Sequence, residues 1–309
     1  MEKSLRELFE DYVNECRYSA KLRAETIRGY RNVFNLFLKI MPEVTTLELL
    51  TPGMLNEFFK RINTRIRIVG RDTLRSGVKN STIKTQFNKL NVFFIWLQRK
   101  SYINSNPLQD IKRPRVTYND FRRLKDEEIH KIYSAITRCY INSFTLRRDI
   151  MMVSLLLYCG LRKGELVALQ LRDIDIEKEE ITIRGETSKS GNTRILRMHP
   201  TLLLHLKDYL KEVKIRDLRT EHLIVSNRDD SGLTYEGLKH WVQALVNKSG
   251  IKFHLHQFRH TFACKLAEND TSAFKIQKLM GHIDIRMTMK YERSMRPEDM
   301  REDIAKISI

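Results

Sequence analysis

A chain of 309 residues with a formal charge of +18 and an isoelectric point near 9.8 is long enough for two cores and favours a polyanionic partner. No run of about eighteen apolar residues is present, which excludes a helical membrane span, and the charged start MEKSLRELFEDY lacks the apolar core of a secretion signal. Cys16, Cys139, Cys159 and Cys264 lie far apart with no CxxC spacing, so they read as reduced packing residues of a cytosolic protein rather than a disulfide frame or zinc site.

Residues 1–105 carry the pattern of an all-helical domain. Leu5, Leu8, Phe9, Tyr12 and Val13 fit one helix face, and Ile27, Tyr30, Val33, Phe34 and Phe37 fit a second. Thr51-Pro52, a cap followed by proline in the first turn, starts a third, which carries Met54, Leu55, Phe58, Phe59 and Ile62. Ser81 is the expected cap of a fourth, with Ile83, Phe87, Leu90, Phe94 and Leu97 on its apolar face. Between residues 61 and 100 ten side chains are basic and Asp72 is the only acid. So one-sided a run is expected to face phosphates, with Arg61, Arg65, Arg67, Lys79, Lys84 and Lys89 as candidate contacts; a solvated helix face is the plain alternative. Asn106-Pro107 and Arg113-Pro114 then punctuate a polar stretch without a period, a linker over 106–120.

The second domain spans 121–309. LKDEEIHKIYSAI has a helical period with its acids early, as a helix N-terminus prefers. DIMMVSLLLYCG, residues 149–160, is nearly all apolar and reads as a buried helix running on into LRKGELVALQL. There Arg162 and Glu165, three apart, share a face, and an arginine beside buried apolar surface needs a partner; a structural ion pair is the bland alternative. Residues 180–184 alternate as a strand, 187–192 are turn material, 194–198 return as a second strand, and 223–226 read as a third. Lys189 sits at the hairpin tip, where a lone lysine is usually just solvated.

In LHQFRHTFA, residues 255–263, His256 lies beside Arg259 and His260 on a helix face, and Leu255, Phe258, Phe262 and Leu266 supply an apolar stripe. Gly281 reads as a helix stop, His282 opens the next segment, and Tyr291 comes nine residues after it. A fixed arginine flanked by imidazoles suits a site that holds and works on a phosphate, and a tyrosine beyond them can be the nucleophile. By ligand type, His256, His260 and Cys264 also suit zinc, but that site would leave Arg162 and Tyr291 without a role.

Taken in order, Arg162, Lys189, His256, Arg259, His282 and Tyr291 resemble the set of the tyrosine recombinase, or phage integrase, family. CGLRKGEL resembles its first arginine box, TGLRxxEL, and LHQFRHTFA resembles the HxLRHTFA box. LMGHIDIRMTMKY is similar to LGHxxxxTTxxY, and SKSGNTR to the hairpin that carries the family's lysine. The hairpin is the loosest of these boxes, with Lys178 as the rival lysine, and Glu292 follows Tyr291 where the family commonly has threonine and histidine. Residues 1–112 are similar in pattern to the family's helical core-binding domain.

The resemblance implies a mainly α fold with a small antiparallel β-sheet in two domains. A helical core DNA-binding domain would occupy 1–105, and a catalytic domain 121–309 would end in a docking tail at 292–309. Tyr291 would attack a DNA phosphodiester, leave a 3′-phosphotyrosine and release a 5′-hydroxyl. Arg162 and Arg259 would hold the non-bridging oxygens, Lys189 would protonate the leaving oxygen, and His256 would act as acid and base toward the tyrosine. His282 would donate to the phosphate, Glu165 would orient its neighbours, and His260 would support the site, with packing as its equal alternative. The resemblance further implies double-stranded DNA sites as partner, a ring of four protomers on two sites, a Holliday junction, no metal and no ATP. It implies a nucleoid-associated place in the cytoplasm. A type IB topoisomerase shares this chemistry and a non-catalytic DNA-binding regulator shares the charge. Motif spelling and the two-domain layout favour the recombinase. The early start of the core-binding pattern favours an Xer-like or small-element one.

Overall fold

The computed structural model describes residues 3–70, 72–115, 122–139, 142–188, 190–227 and 229–289. They fall into two units, Met1–Tyr118 and Asn119–Ile309. Each has its own apolar core.

The first unit contains α1 (Leu5–Asn14), α2 (Ala24–Ile40), α3 (Pro52–Thr64) and α4 (Asn80–Arg99). Ser4 and Glu7 form a capping box that starts α1. Thr51 caps α3 by accepting from the Met54 amide, ahead of Pro52. α4 begins two residues earlier than its sequence suggests, at Asn80, with Lys79 and not Ser81 in the cap position. The expected stripes meet in an aromatic core: the Phe9 ring stacks on Phe34 at 3.8 Å and meets Phe93 edge-on at 5.2 Å.

The unit is not all helix. Between α3 and α4 the chain forms an antiparallel hairpin of β1 (Ile66–Val69) and β2 (Thr73–Ser76). The β-branched Ile66, Ile68, Val69 and Thr73 are poor helix formers, and Gly70, at φ 73°, supplies the left-handed turn residue. Of the candidate phosphate contacts, Arg61 is engaged within the unit. It pairs with Glu43 at 2.7 Å and Glu57 at 3.1 Å and donates to the Ile40 carbonyl. Arg65 closes α3, Arg67 donates from Nε to the Gly77 carbonyl at 2.8 Å, Lys84 is half-buried on α4, and Lys89 lies across α2 at Gly29.

The second unit contains α5 (Asp126–Cys139), α6 (Ser143–Cys159), α7 (Lys163–Ala168), β3 (Ile174–Asp175), β4 (Glu180–Ile183) and β5 (Arg194–Arg197). α8 (Pro200–Ile215), α9 (Tyr235–Ser249), α10 (Leu255–Glu268) and α11 (Ala273–Met280) follow. α6 is its axis, with Met151, Met152, Val153, Leu155 and Leu156 wholly buried and α8 and α10 packed against it. β3, β4 and β5 make one antiparallel sheet in that order. The third strand is therefore Ile174–Asp175 and not residues 223–226. That stretch is buried, but its amides go elsewhere: Leu223 donates to the Leu169 carbonyl and Val225 to the Tyr209 hydroxyl. Arg148, buried beside Asp149, takes the Val225 carbonyl. No helix among the described residues is long and apolar enough to cross a membrane.

Candidate active site

The site is assembled at helix ends. α6 stops at Gly160, whose left-handed backbone (φ 55°, ψ 36°) turns the chain instead of letting it run on. A Cβ there would lie 2.4 Å from the Phe262 ring, so only glycine satisfies both the turn and the packing. Arg162 thus becomes the cap residue of a new helix, α7. Its amide donates to Glu165 Oε2 at 3.0 Å and its Nη1 to Oε1 at 2.7 Å. The three-residue spacing marks a helix start, rather than one face of a continuing buried helix.

Arg259 enters from α10 and is among the largest fully buried side chains of the described residues, at 1 % exposure. Its Nη1 donates to the Gly160 carbonyl at 2.7 Å and its Nη2 to the Met280 carbonyl. Arg162 Nη2 donates to the Gly281 carbonyl at 2.9 Å. These acceptors lie at the C-terminal ends of α6 and α11, where carbonyls lack intrahelical donors and the helix dipole is negative. Helix ends therefore fix both guanidinium planes, and Gly281, at φ 62°, lets α11 end there.

Two residues of this cluster were not picked out from the sequence. Arg194, on β5 and nearly buried, reaches Glu165 with both prongs, at 3.1 and 2.7 Å. Burial pushes the Glu165 carboxyl upward, but the hydrogen bonds and charge of Arg194, then those of Arg162, hold it at about 2. Thr288, fully buried, places its hydroxyl 2.9 Å from His282 Nδ1. The signal for Arg194 was present: an arginine at an inward strand position requires a buried acid.

The imidazoles share this positive field. His282 is pushed down to about 4, by burial first and then by Arg259, Arg162, Arg194 and His256. His256, in the first turn of α10, is lowered by desolvation and then by Arg259, His254, His260 and Arg162. Both rings are therefore mainly neutral at pH 7. His260 points into the core, with Nε2 3.9 Å from Cys264 Sγ. A cavity of about 650 Å³, lined in part by Thr193, Arg194, Gln277 and His282, opens alongside. The structure thus draws Arg162, Glu165, Arg194, His256, Arg259 and His282 into one neighbourhood. Lys189 and Tyr291 lie outside the described residues, as does the segment 292–309.

The lowered His282 has a consequence for stability. Between about 6.5 and 4 the unfolded chain binds the proton and the folded one does not, so this contribution is present above pH 6.5 and is lost as pH falls through about 4. Thermal melts of wild type and His282→Gln across pH 7 to 4 should converge toward the acid end. Parallel curves would show that His282 is not depressed.

The chain belongs to the phage integrase family, whose model matches residues 122–297. It is a tyrosine site-specific recombinase, an enzyme of DNA strand cleavage and rejoining. It is 26 % identical over 294 residues to the tyrosine recombinase XerD of Listeria monocytogenes, covering 93 % of this chain and 94 % of that protein. The tyrosine recombinase XerA of Saccharolobus solfataricus is 27 % identical over 245 residues, 79 % of this chain and 74 % of that one.

Solved structures share the fold. The Tn1549 transposon integrase in complex with a circular intermediate DNA superposes with a TM-score of 0.75 at 17 % identity, over 97 % of this chain and 99 % of that one. A lambda integrase tetramer bound to a Holliday junction gives 0.70 at 20 % identity, over 95 % and 79 %.

Proposed function

We propose that this chain recombines specific double-stranded DNA sites through a 3′-phosphotyrosine on Tyr291 and a Holliday junction. The observation that carries the reading is the pair of guanidiniums, Arg162 and Arg259, fixed on helix C-termini beside two neutral imidazoles. A phosphodiester placed there meets donors already oriented toward its non-bridging oxygens, where charge grows in the transition state. The Tyr291 oxygen forms a bond to phosphorus as the bond to the 5′-oxygen breaks. His256, being neutral, accepts the tyrosine proton, and Lys189 gives a proton to the leaving oxygen. In the tautomer that accepts the Thr288 hydroxyl at Nδ1, His282 carries its hydrogen on Nε2 and donates it to the phosphate. Glu165 keeps Arg162 in place, and His260 supports α10 from the core side.

One ester is exchanged for another, so joining requires neither ATP nor a metal. The helical unit, with Arg65, Arg67, Lys79, Lys84 and Lys89, holds the duplex as a core-binding domain, joined through the linker at 106–120 to the catalytic domain. Four protomers act on two sites, the tail at 292–309 docking on a neighbour, in the nucleoid and hence the cytoplasm. The lambda integrase tetramer on a Holliday junction supports this assembly by its likeness of fold.

The test is a duplex nicked beside the cleavage position, so that the released strand end diffuses away and the covalent adduct persists. A denaturing gel should show the adduct, and peptide mass mapping should place it on Tyr291. No adduct, or one on another tyrosine such as Tyr235, overturns the proposal. Relaxation of supercoiled DNA with no dependence on a second site would favour the topoisomerase reading.

A further inference from the structure

The hairpin between α3 and α4 carries an exposed apolar face. Ile66, Ile68 and Leu74 are 72 %, 69 % and 68 % exposed. The register sets Ile68 opposite Leu74 and Ile66 opposite Ser76, so the three aliphatic side chains share one face. Arg67 stands directly opposite Arg75 on the other face. Like charges at directly paired positions destabilise a ribbon, and an aliphatic face in water contributes nothing to it. Both features become favourable only against a partner that is anionic and also offers apolar surface. Asp72 is the only acid between residues 61 and 100, so the surrounding charge selects for anions as well.

We propose that β1 and β2 form a ribbon that reads DNA from the major groove; the inference rests on the reading above that duplex DNA is the substrate. Each strand has four residues. At about 3.4 Å per residue that is roughly 14 Å of ribbon, with strands about 4.8 Å apart. The major groove of B-DNA, about 12 Å wide and 8.5 Å deep, admits such a two-stranded ribbon. With Ile66, Ile68 and Leu74 on the groove floor, they meet the methyl groups of thymine, the one apolar feature on a base edge. The opposite face then lies level with the phosphate rims, within reach of the long side chains of Arg67 and Arg75. Contacts of this kind supply sequence preference through the aliphatic face and salt-dependent affinity through the arginines.

Wild-type protein first selects a duplex from a random-sequence library. Each thymine of that duplex is then replaced in turn by uracil, which removes only the 5-methyl group. Uracil at the positions beneath the ribbon should weaken wild-type binding about fourfold per buried methyl. The variant Ile68→Ser/Leu74→Ser should bind the thymine and uracil duplexes alike. Arg75→Ala should lower the log–log salt slope by about 0.9. All three substituted side chains are exposed, and thermal melting checks that the fold is kept. Unchanged affinity, salt slope and uracil response in variants that melt normally overturn the proposal. Variants that bind one duplex normally but no longer bind it cooperatively with a second copy also overturn it, and assign the face to protein contact. If wild type selects no duplex at all, the functional reading fails first, and the two failures are told apart.

Discussion

Arg259→Ala should slow adduct formation by about 10²- to 10³-fold, the usual effect of removing one donor from a site where charge develops. The change acts twice. It withdraws a guanidinium from the proposed phosphate position, and it leaves the Gly160 and Met280 carbonyls without a donor they now have. Each buried polar group so orphaned costs about 1–3 kcal/mol. Arg259→Lys separates the two effects. Lysine keeps the charge, but a single ammonium cannot reproduce the planar fork that spans two helix ends. The lysine variant should therefore recover part of the stability and little of the rate. Single-turnover adduct formation and urea melts measure the two quantities, with a gel shift on the uncleaved duplex to show that binding persists. A well-folded alanine variant that cleaves at the wild-type rate would remove Arg259 from the chemistry.

What could be read from the sequence was local. The stripes Leu5–Val13 and Ile83–Leu97 are set by helical periodicity, and the structure buries both. Gly281 as a helix stop is equally local. The misses have physical reasons. Ile66–Ser76 is a pair of four-residue strands inside a basic run, too short for alternation to outweigh the helical pattern around it. Residues 223–226 have the composition of a strand, yet Tyr209 and Leu169 take their amides, and nothing nearby in the chain announces either. Gly160 separates two apolar runs that look continuous. Arg194 meets its acid 29 positions away, through a hairpin register that no spacing rule gives. Arg162, His256, Arg259 and His282 are proposed from motif order, and the structure adds the helix ends that hold the arginines. Lys189 and Tyr291 rest on motif order alone.

Glu165→Ala should lower stability by about 3–5 kcal/mol, the range for breaking a buried ion pair by removing one partner. Glu165 is 2 % exposed and Arg194 7 %, so the substitution leaves a guanidinium almost out of water with no counter-charge. Arg162 loses the same partner and with it part of its fixed orientation. Stability and orientation can be separated. A double variant, Glu165→Leu/Arg194→Met, fills the space with apolar groups and should regain much of the lost stability, because well-packed hydrophobes replace buried ion pairs at little cost. It does not restore the clamp on Arg162, so adduct formation should stay slow. The pH dependence provides a second reading. With the folded carboxyl near 2 against an ordinary value of 4.5, the contribution of Glu165 is complete above pH 4.5 and is lost as pH falls through about 2. Wild type should therefore exceed Glu165→Ala by most at pH 7 and by least at pH 2, as measured by urea midpoints. A double variant that regains its rate along with its stability would mean that Glu165 acts through the fold alone and not by holding Arg162.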